Sequence, residues 1–95
     1  MFVIYPYYDR LVSFSSVHHG MRAEKLLAEA GIPAVAAPTP REVDISCGQC
    51  LLFAAENERA VITRLTEGQV CWSKLFIRDG EKKSYRLIRV YNKEE

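Results

Sequence analysis

The sequence has few cysteines, no long apolar run and no surplus of one charge, and each shortage excludes a class of protein. Its 13 basic and 12 acidic residues give a net charge of +1, so no basic surplus favours nucleic acid or an anionic membrane as partner. No segment approaches the run of about 20 apolar residues that spans a bilayer. Residues 1–10 are apolar but lack a basic leader and are interrupted by Pro6 and Asp9, so they do not predict a signal peptide. We therefore expect a cytoplasmic protein.

Three cysteines are too few for a structural disulfide framework, and in a cytoplasmic protein such thiols are inert core residues, metal ligands or reactive groups. The sequence also has no glycine-rich phosphate loop, no pair of catalytic carboxylates and no Ser-His-Asp pattern. We therefore expect a non-enzymatic protein without a cofactor. With 95 residues, 48% of them apolar, the chain predicts a single domain with a core over about 11–78.

Apolar periodicity and turn residues predict alternating strands and helices. Strands are expected at 11–15, 34–37, 49–53, 70–78 and 85–91, and helices at 17–30 and 56–66. Ser16 is the predicted N-cap of the first helix, which Gly31 ends, and Gly68 ends the second helix. Asp79-Gly80 predicts a two-residue hairpin turn.

This order, β-α-β-β-α-β, predicts an α+β fold of the ferredoxin-like, two-layer type. A C-terminal hairpin over about 70–91 extends it, and a short strand at 2–5 could precede it. In that topology the first strand-to-helix turn and the loop between the second and third strands lie at the same end of the sheet. His18 and His19 are then expected near the loop that carries Arg41, Ser46 and Cys47.

Cys47 is the candidate reactive thiol, because it follows a polar loop and stands between Ser46 and Gly48. The glycine allows a tight turn that leaves the thiol open to a reaction partner. The thiolate is the reactive form, and a positive neighbour such as Arg41 or a histidine, or the amino end of the first helix, would favour it. The alternative is an inert surface thiol.

Cys50 completes a Cys-Gly-Gln-Cys spacing that allows a redox disulfide, but the pair lies at the start of a strand, where residues three apart point to opposite faces. A small buried side chain is the competing interpretation of Cys50. Cys71, beside Trp72 on the predicted fourth strand, is expected in the core or on the sheet surface. A zinc-type site from these thiols and a histidine would need two short-spaced pairs, and the sequence has one cysteine pair. No metal site is predicted.

The segment from residue 15 to about 68 resembles the selenium/sulfur carrier-like family of small bacterial proteins. The resemblance rests on Ala-Glu-Lys-Leu-Leu-Ala-Glu-Ala-Gly-Ile at 23–32, Pro-Thr-Pro-Arg-Glu at 38–42 and Ser-Cys-Gly at 46–48. It implies that Cys47 bears sulfur or selenium as a persulfide or selenosulfide, received from a donor protein and passed to an acceptor protein. Two alternatives stay open: a thiol–disulfide redox protein using Cys47 and Cys50, and a binding or assembly module.

The segments at the two ends of the chain extend beyond the part that resembles the family. In the C-terminal hairpin, apolar residues are predicted on both faces of the strand. By alternation along the strand, Val70, Trp72 and Phe76 are expected on one face and Cys71, Leu75 and Ile77 on the other. One set can pack on the helices, whereas the other would lie open to water in a monomer. The pattern predicts a homodimer through the terminal strands.

The exposed position expected for Cys47 predicts that it is the thiol most rapidly alkylated in the native protein. Quantitative labelling at neutral pH, with peptide mapping, should rank Cys47 above Cys50 and Cys71. Slower labelling of Cys47 than of either other cysteine would contradict the interpretation.

Overall fold

The computed structural model describes residues 8–14, 16–40, 49–79 and 84–91, which form strands and helices in the order expected for an α+β protein. The strands are β1 (Arg10–Phe14), β2 (Val35–Pro38), β3 (Gln49–Phe53), β4 (Trp72–Asp79) and β5 (Ser84–Val90). The helices are α1 (Val17–Glu29) and α2 (Glu58–Glu67), the latter preceded by a 3-10 turn at Ala55–Asn57. The α+β class is confirmed. The strand predicted at 2–5 lies outside the described residues.

The strands form one antiparallel sheet in the order β2-β3-β1-β4-β5. This order differs from that of a four-stranded ferredoxin-like sheet, because β5, the returning strand of the predicted C-terminal hairpin, continues the same sheet beyond β4. Asp79 is the last residue of β4 and pairs with Ser84, so it is a strand residue and not half of a two-residue turn. Gly80 lies outside the described residues.

The ends of α1 follow the sequence prediction. The Ser16 hydroxyl accepts a hydrogen bond from the His19 amide at 3.4 Å, which makes Ser16 the N-cap. Gly31 has a φ of +74° just after the helix, and the next amide, of Ile32, donates to the Leu27 carbonyl at 2.9 Å. This is the glycine-based helix end that the sequence predicted.

Helix α2 ends at Gly68, as the sequence predicted. Gly68 has an ordinary φ of −84°, and the left-handed residue is its neighbour Gln69, with a φ of +58°. A Cβ at Gly68 would meet a terminal methyl group of Leu26 on α1, which would have to move aside. Neither helix is long and apolar enough to cross a membrane.

The main core lies between the helices and one face of the sheet. The sheet contributes Val12, Phe14, Leu51, Phe53, Trp72 and Leu75, and the helices contribute Ala23, Leu27, Val61 and Leu65. All of these side chains are buried. Their burial is the main apolar contribution that holds α1 and α2 on the sheet.

A second buried cluster lies on the sheet face opposite the helices. It consists of Leu11, Cys50, Leu52 and Phe76, with Tyr8, Val35, Ala37 and Tyr85 packed around it. Leu11 pairs with Leu52 on one side and with Phe76 on the other, so these three form one row across the sheet. The sheet is therefore buried on both faces along β1.

A bulge in β4 breaks the alternation that the sequence predicted for this strand. Val12 pairs with Leu75 and Phe14 pairs with Trp72, so β4 takes three steps where β1 takes two. Trp72 and Leu75 consequently both face the helices, and Phe76 belongs to the opposite cluster. The predicted grouping of Trp72 with Phe76 on one face is wrong.

The hydroxyl of Ser13 provides a hydrogen-bond partner for backbone groups at this bulge. Ser13 is fully buried, and its Oγ accepts from the Lys74 amide at 3.2 Å and donates to the Lys74 carbonyl at 3.4 Å. A bulge otherwise leaves backbone groups without a ladder partner, which is costly in a buried position. The side chain thus replaces the missing strand pairing.

Replacing Ser13 by alanine should lower the free energy of unfolding by about 1–3 kcal/mol, because the Lys74 amide loses its acceptor. Urea denaturation of the Ser13→Ala variant measures this. The same change at exposed Ser84 on β5 is the control and should have little effect. Equal stabilities of the two variants would show that the hydroxyl does not support the bulge.

Candidate thiol site

The residues on either side of segment 41–48 are held at one end of the sheet. Pro38 at the end of β2 pairs with Gln49 at the start of β3. Ser13 pairs with Cys50, so β1 ends, and α1 begins, at that same end. The predicted site residues Arg41, Ser46, Cys47 and Gly48 lie outside the described residues. Their roles stay predictions.

The amino end of α1 provides a positive potential at this end of the sheet. The first turn of α1 contains no acidic residue, so no carboxylate of that turn neutralises the exposed amides. His18 is exposed in this turn. An anion near this helix end would be stabilised by typically 0.3–1 kcal/mol.

His19 has a structural contact that the sequence did not predict. Its Nδ1 accepts a hydrogen bond from the Cys71 amide at 3.1 Å. An imidazole that accepts at Nδ1 carries its proton at Nε2, which fixes the tautomer. His19 therefore ties α1 to the segment that enters β4.

Cys50 is buried on the opposite side of the sheet from His19. Its side chain is 0% exposed in the cluster that faces away from the helices, and its Sγ lies 3.8 Å from the Pro38 carbonyl oxygen. The sheet thus separates the Cys50 thiol from the first turn of α1. The structure does not bring Cys50 and His19 together.

Cys71 lies just before β4, which begins at Trp72, and it is half-buried. The sequence had placed it on the strand itself. Its amide reaches His19, which places Cys71 at the end of the sheet where α1 begins. In the described part of the chain, no three His, Cys, Asp or Glu side chains are close enough to hold a metal ion.

A groove runs between the C-terminal part of α1 and the outer face of α2. It is lined by Ala30, Ile32, Glu56, Arg59, Ala60, Thr63, Arg64 and Glu67. The charges are mixed, and Arg64 and Glu67 approach each other to 3.8 Å. The groove contains no thiol and no imidazole, so it does not belong to the candidate thiol site.

The contact of His19 predicts a difference between the two adjacent histidines. His19→Ala should lower the free energy of unfolding by about 1 kcal/mol and speed hydrogen exchange of the Cys71 amide, because that amide loses its acceptor. His18→Ala, at an exposed position in the same turn, is the matched control and should change neither. Amide exchange followed by NMR measures both variants. Identical exchange at Cys71 in the two would contradict the assignment.

Residues 9–77 match the family described as "Putative Se/S carrier protein-like". No curated protein and no solved structure matches the chain. The matched region contains β1 to β3, both helices, most of β4 and the segment with Cys47. Since the match covers more than half of the chain, the protein belongs to this Se/S carrier-like family.

Proposed function

We propose that the protein carries sulfur or selenium and that the thiol of Cys47 bears the carried atom. The observation that carries this proposal is the family match over residues 9–77, which includes the Ser-Cys-Gly sequence at 46–48. A carrier needs an accessible sulfur and a surface for its partners, and it needs no substrate cavity. The partners would be a donor and an acceptor protein, in a reducing compartment such as the cytoplasm.

The proposed loading step is a transfer of one sulfur atom between two thiols. The Cys47 thiolate attacks the outer sulfur of a persulfide on the donor. A new sulfur–sulfur bond forms at Cys47 as the donor's bond breaks, and the donor leaves as a thiolate. The terminal proton travels with the transferred sulfur, so no external oxidant or reductant is consumed. With a selenosulfide donor, selenium takes the place of the outer sulfur.

The end of the sheet described above supports an anionic adduct on Cys47. Loaded sulfur is most reactive as an anion, and the first turn of α1, which has no acidic residue, lies at the end of the sheet where Pro38 and Gln49 flank the segment that carries the thiol. We assign Arg41 and His18 to the same stabilising role, and we assign to His19, whose Nδ1 accepts from the Cys71 amide, donation of a hydrogen bond from Nε2. Gly48 would keep the backbone next to the thiol open to a partner.

Burial of Cys50 favours the carrier over the redox alternative. A redox pair would require the Cys50 sulfur to be reached by Cys47 and the resulting disulfide to be reached by a reductant. The Cys50 side chain is 0% exposed, with its Sγ near the Pro38 carbonyl. These contacts support a structural role for Cys50.

We also infer that the part β2-β3-β1-β4, together with α1 and α2, corresponds to a ferredoxin-like sandwich to which β5 is added. The antiparallel pairing of each neighbouring pair of these strands supports this inference. Under this inference, β5 is additional to the carrier core. The family match ends at residue 77, before β5 begins.

The proposal predicts that sulfur loading depends on Cys47 alone. After incubation with a persulfide donor, the intact mass of the wild type, Cys50→Ala and Cys71→Ala proteins should increase by one sulfur atom. Cys47→Ala should show no increase, because the attacking thiolate is absent.

Two controls make this test decisive. Circular dichroism should show that Cys47→Ala is folded, and alkylated wild type should also fail to load. Loading that persists in Cys47→Ala would overturn the proposal. A reversible loss of two hydrogen atoms in the wild type, absent from Cys50→Ala and without sulfur gain, would establish the redox alternative instead.

A further inference from the structure

The two edges of the sheet differ in how well they are protected. Strand β2 is four residues long and ends at Pro38, and its other residues are half-buried. Strand β5 is seven residues long and contains no proline, and five of its seven residues are exposed. Within the described chain, β5 pairs with β4 alone, so its outer backbone groups face no other strand. A long open edge of this kind is a template for a further strand.

One face of this edge is apolar. Leu87 pairs with Phe76 and Val90 pairs with Lys74, which places both side chains on the sheet face opposite the helices. Leu87 is 48% exposed and Val90 is 60% exposed. Two large apolar side chains along an open strand edge favour contact with apolar side chains of another strand.

The other face of the same edge is basic. Arg89 pairs with Leu75 and Arg86 pairs with Ile77, so both arginines lie on the helix side of the sheet. The guanidinium of Arg89 lies 5.9 Å from the centre of the Trp72 ring, which holds it close to the strand. Strand β5 contains no acidic residue. The positive charges on this face therefore have no counter-charge within the strand.

We propose that β5 binds an extended, acidic segment of a partner protein as a sixth strand of the sheet. The backbone of the segment pairs with the outer edge of β5. Its alternate side chains would be carboxylates beside the two arginines and apolar groups beside Leu87 and Val90. This surface lies outside the family match and is independent of the chemistry at Cys47.

Charge favours an acidic partner over a second copy of this chain. The predicted homodimer would use the same edge, and pairing β5 with β5 would bring four arginines together without a carboxylate from either strand. Like charges on adjacent strands are destabilising. An acidic segment supplies the opposite charge and the same backbone pairing.

The test uses the full chain and two synthetic peptides of about ten residues, the upper length of an ordinary strand. One alternates glutamate and valine, and the other alternates lysine and valine. Fluorescence anisotropy should give an affinity for the acidic peptide that is about tenfold or more above that for the basic one. Methylating the backbone nitrogens that face β5 should abolish binding, whereas methylating the outward-facing set should preserve it.

Charge reversal on β5 should reverse the preference. The variant Arg86→Glu/Arg89→Glu is expected to bind the basic peptide about tenfold better than the acidic one. The matched control, Arg59→Glu/Arg64→Glu, makes the same change in net charge on exposed positions of α2 and should keep the wild-type preference. Bound acidic peptide should slow amide exchange along β5.

Three results would overturn the proposal. The first is equal affinity for the two peptides in the wild type. The second is the same shift of preference in the β5 variant and in the α2 control, which would indicate general charge attraction. The third is protection of the β5 amides from hydrogen exchange that increases with protein concentration in the absence of peptide. That result would assign the edge to a second copy of the chain.

Discussion

Strand β1 determines the register of its neighbours in the sheet, because it pairs with a strand on each side. This five-residue strand pairs antiparallel with β3 and with β4, and residues 11–14 are completely or almost completely buried. Val12 and Phe14 face the helices, whereas Leu11 and Ser13 face the opposite cluster. A one-residue slip of β1 would exchange these two sets, so burial on both faces fixes the register.

That register determines which elements meet at the end of the sheet that flanks segment 41–48. With Ser13 opposite Cys50 and Phe14 opposite Trp72, the start of β3 and the start of β4 meet at the end of the sheet where α1 begins. The hydrogen bond from the Cys71 amide to His19 then ties the helix to this end. Pro38 and Gln49, on either side of the segment that contains Cys47, are thus anchored to a rigid scaffold.

The sequence predicted features that have local signals, and it missed those that depend on distant residues. The cap at Ser16 and the end of α1 at Gly31 follow from residue types adjacent in the chain. The contact of His19 with Cys71 joins residues 52 positions apart, and no local pattern marks it. The bulge beside Ser13 likewise depends on which strand becomes its neighbour. The end of α2 at Gly68 also follows from the residue type, whereas no local pattern marks the left-handed conformation of the next residue, Gln69.

In the proposed function, the transferred atom resides on Cys47 while all three cysteines are present. The most direct measurement loads the native wild-type protein from a donor that carries isotopically labelled sulfur, traps exposed persulfides by alkylation, and locates the label by tandem mass spectrometry. We expect the label on the peptide that contains Cys47, and we expect it to leave that peptide when an acceptor thiol is added. Label on Cys50 or Cys71, or a Cys47–Cys50 disulfide without label, would contradict the proposed carrier role of Cys47.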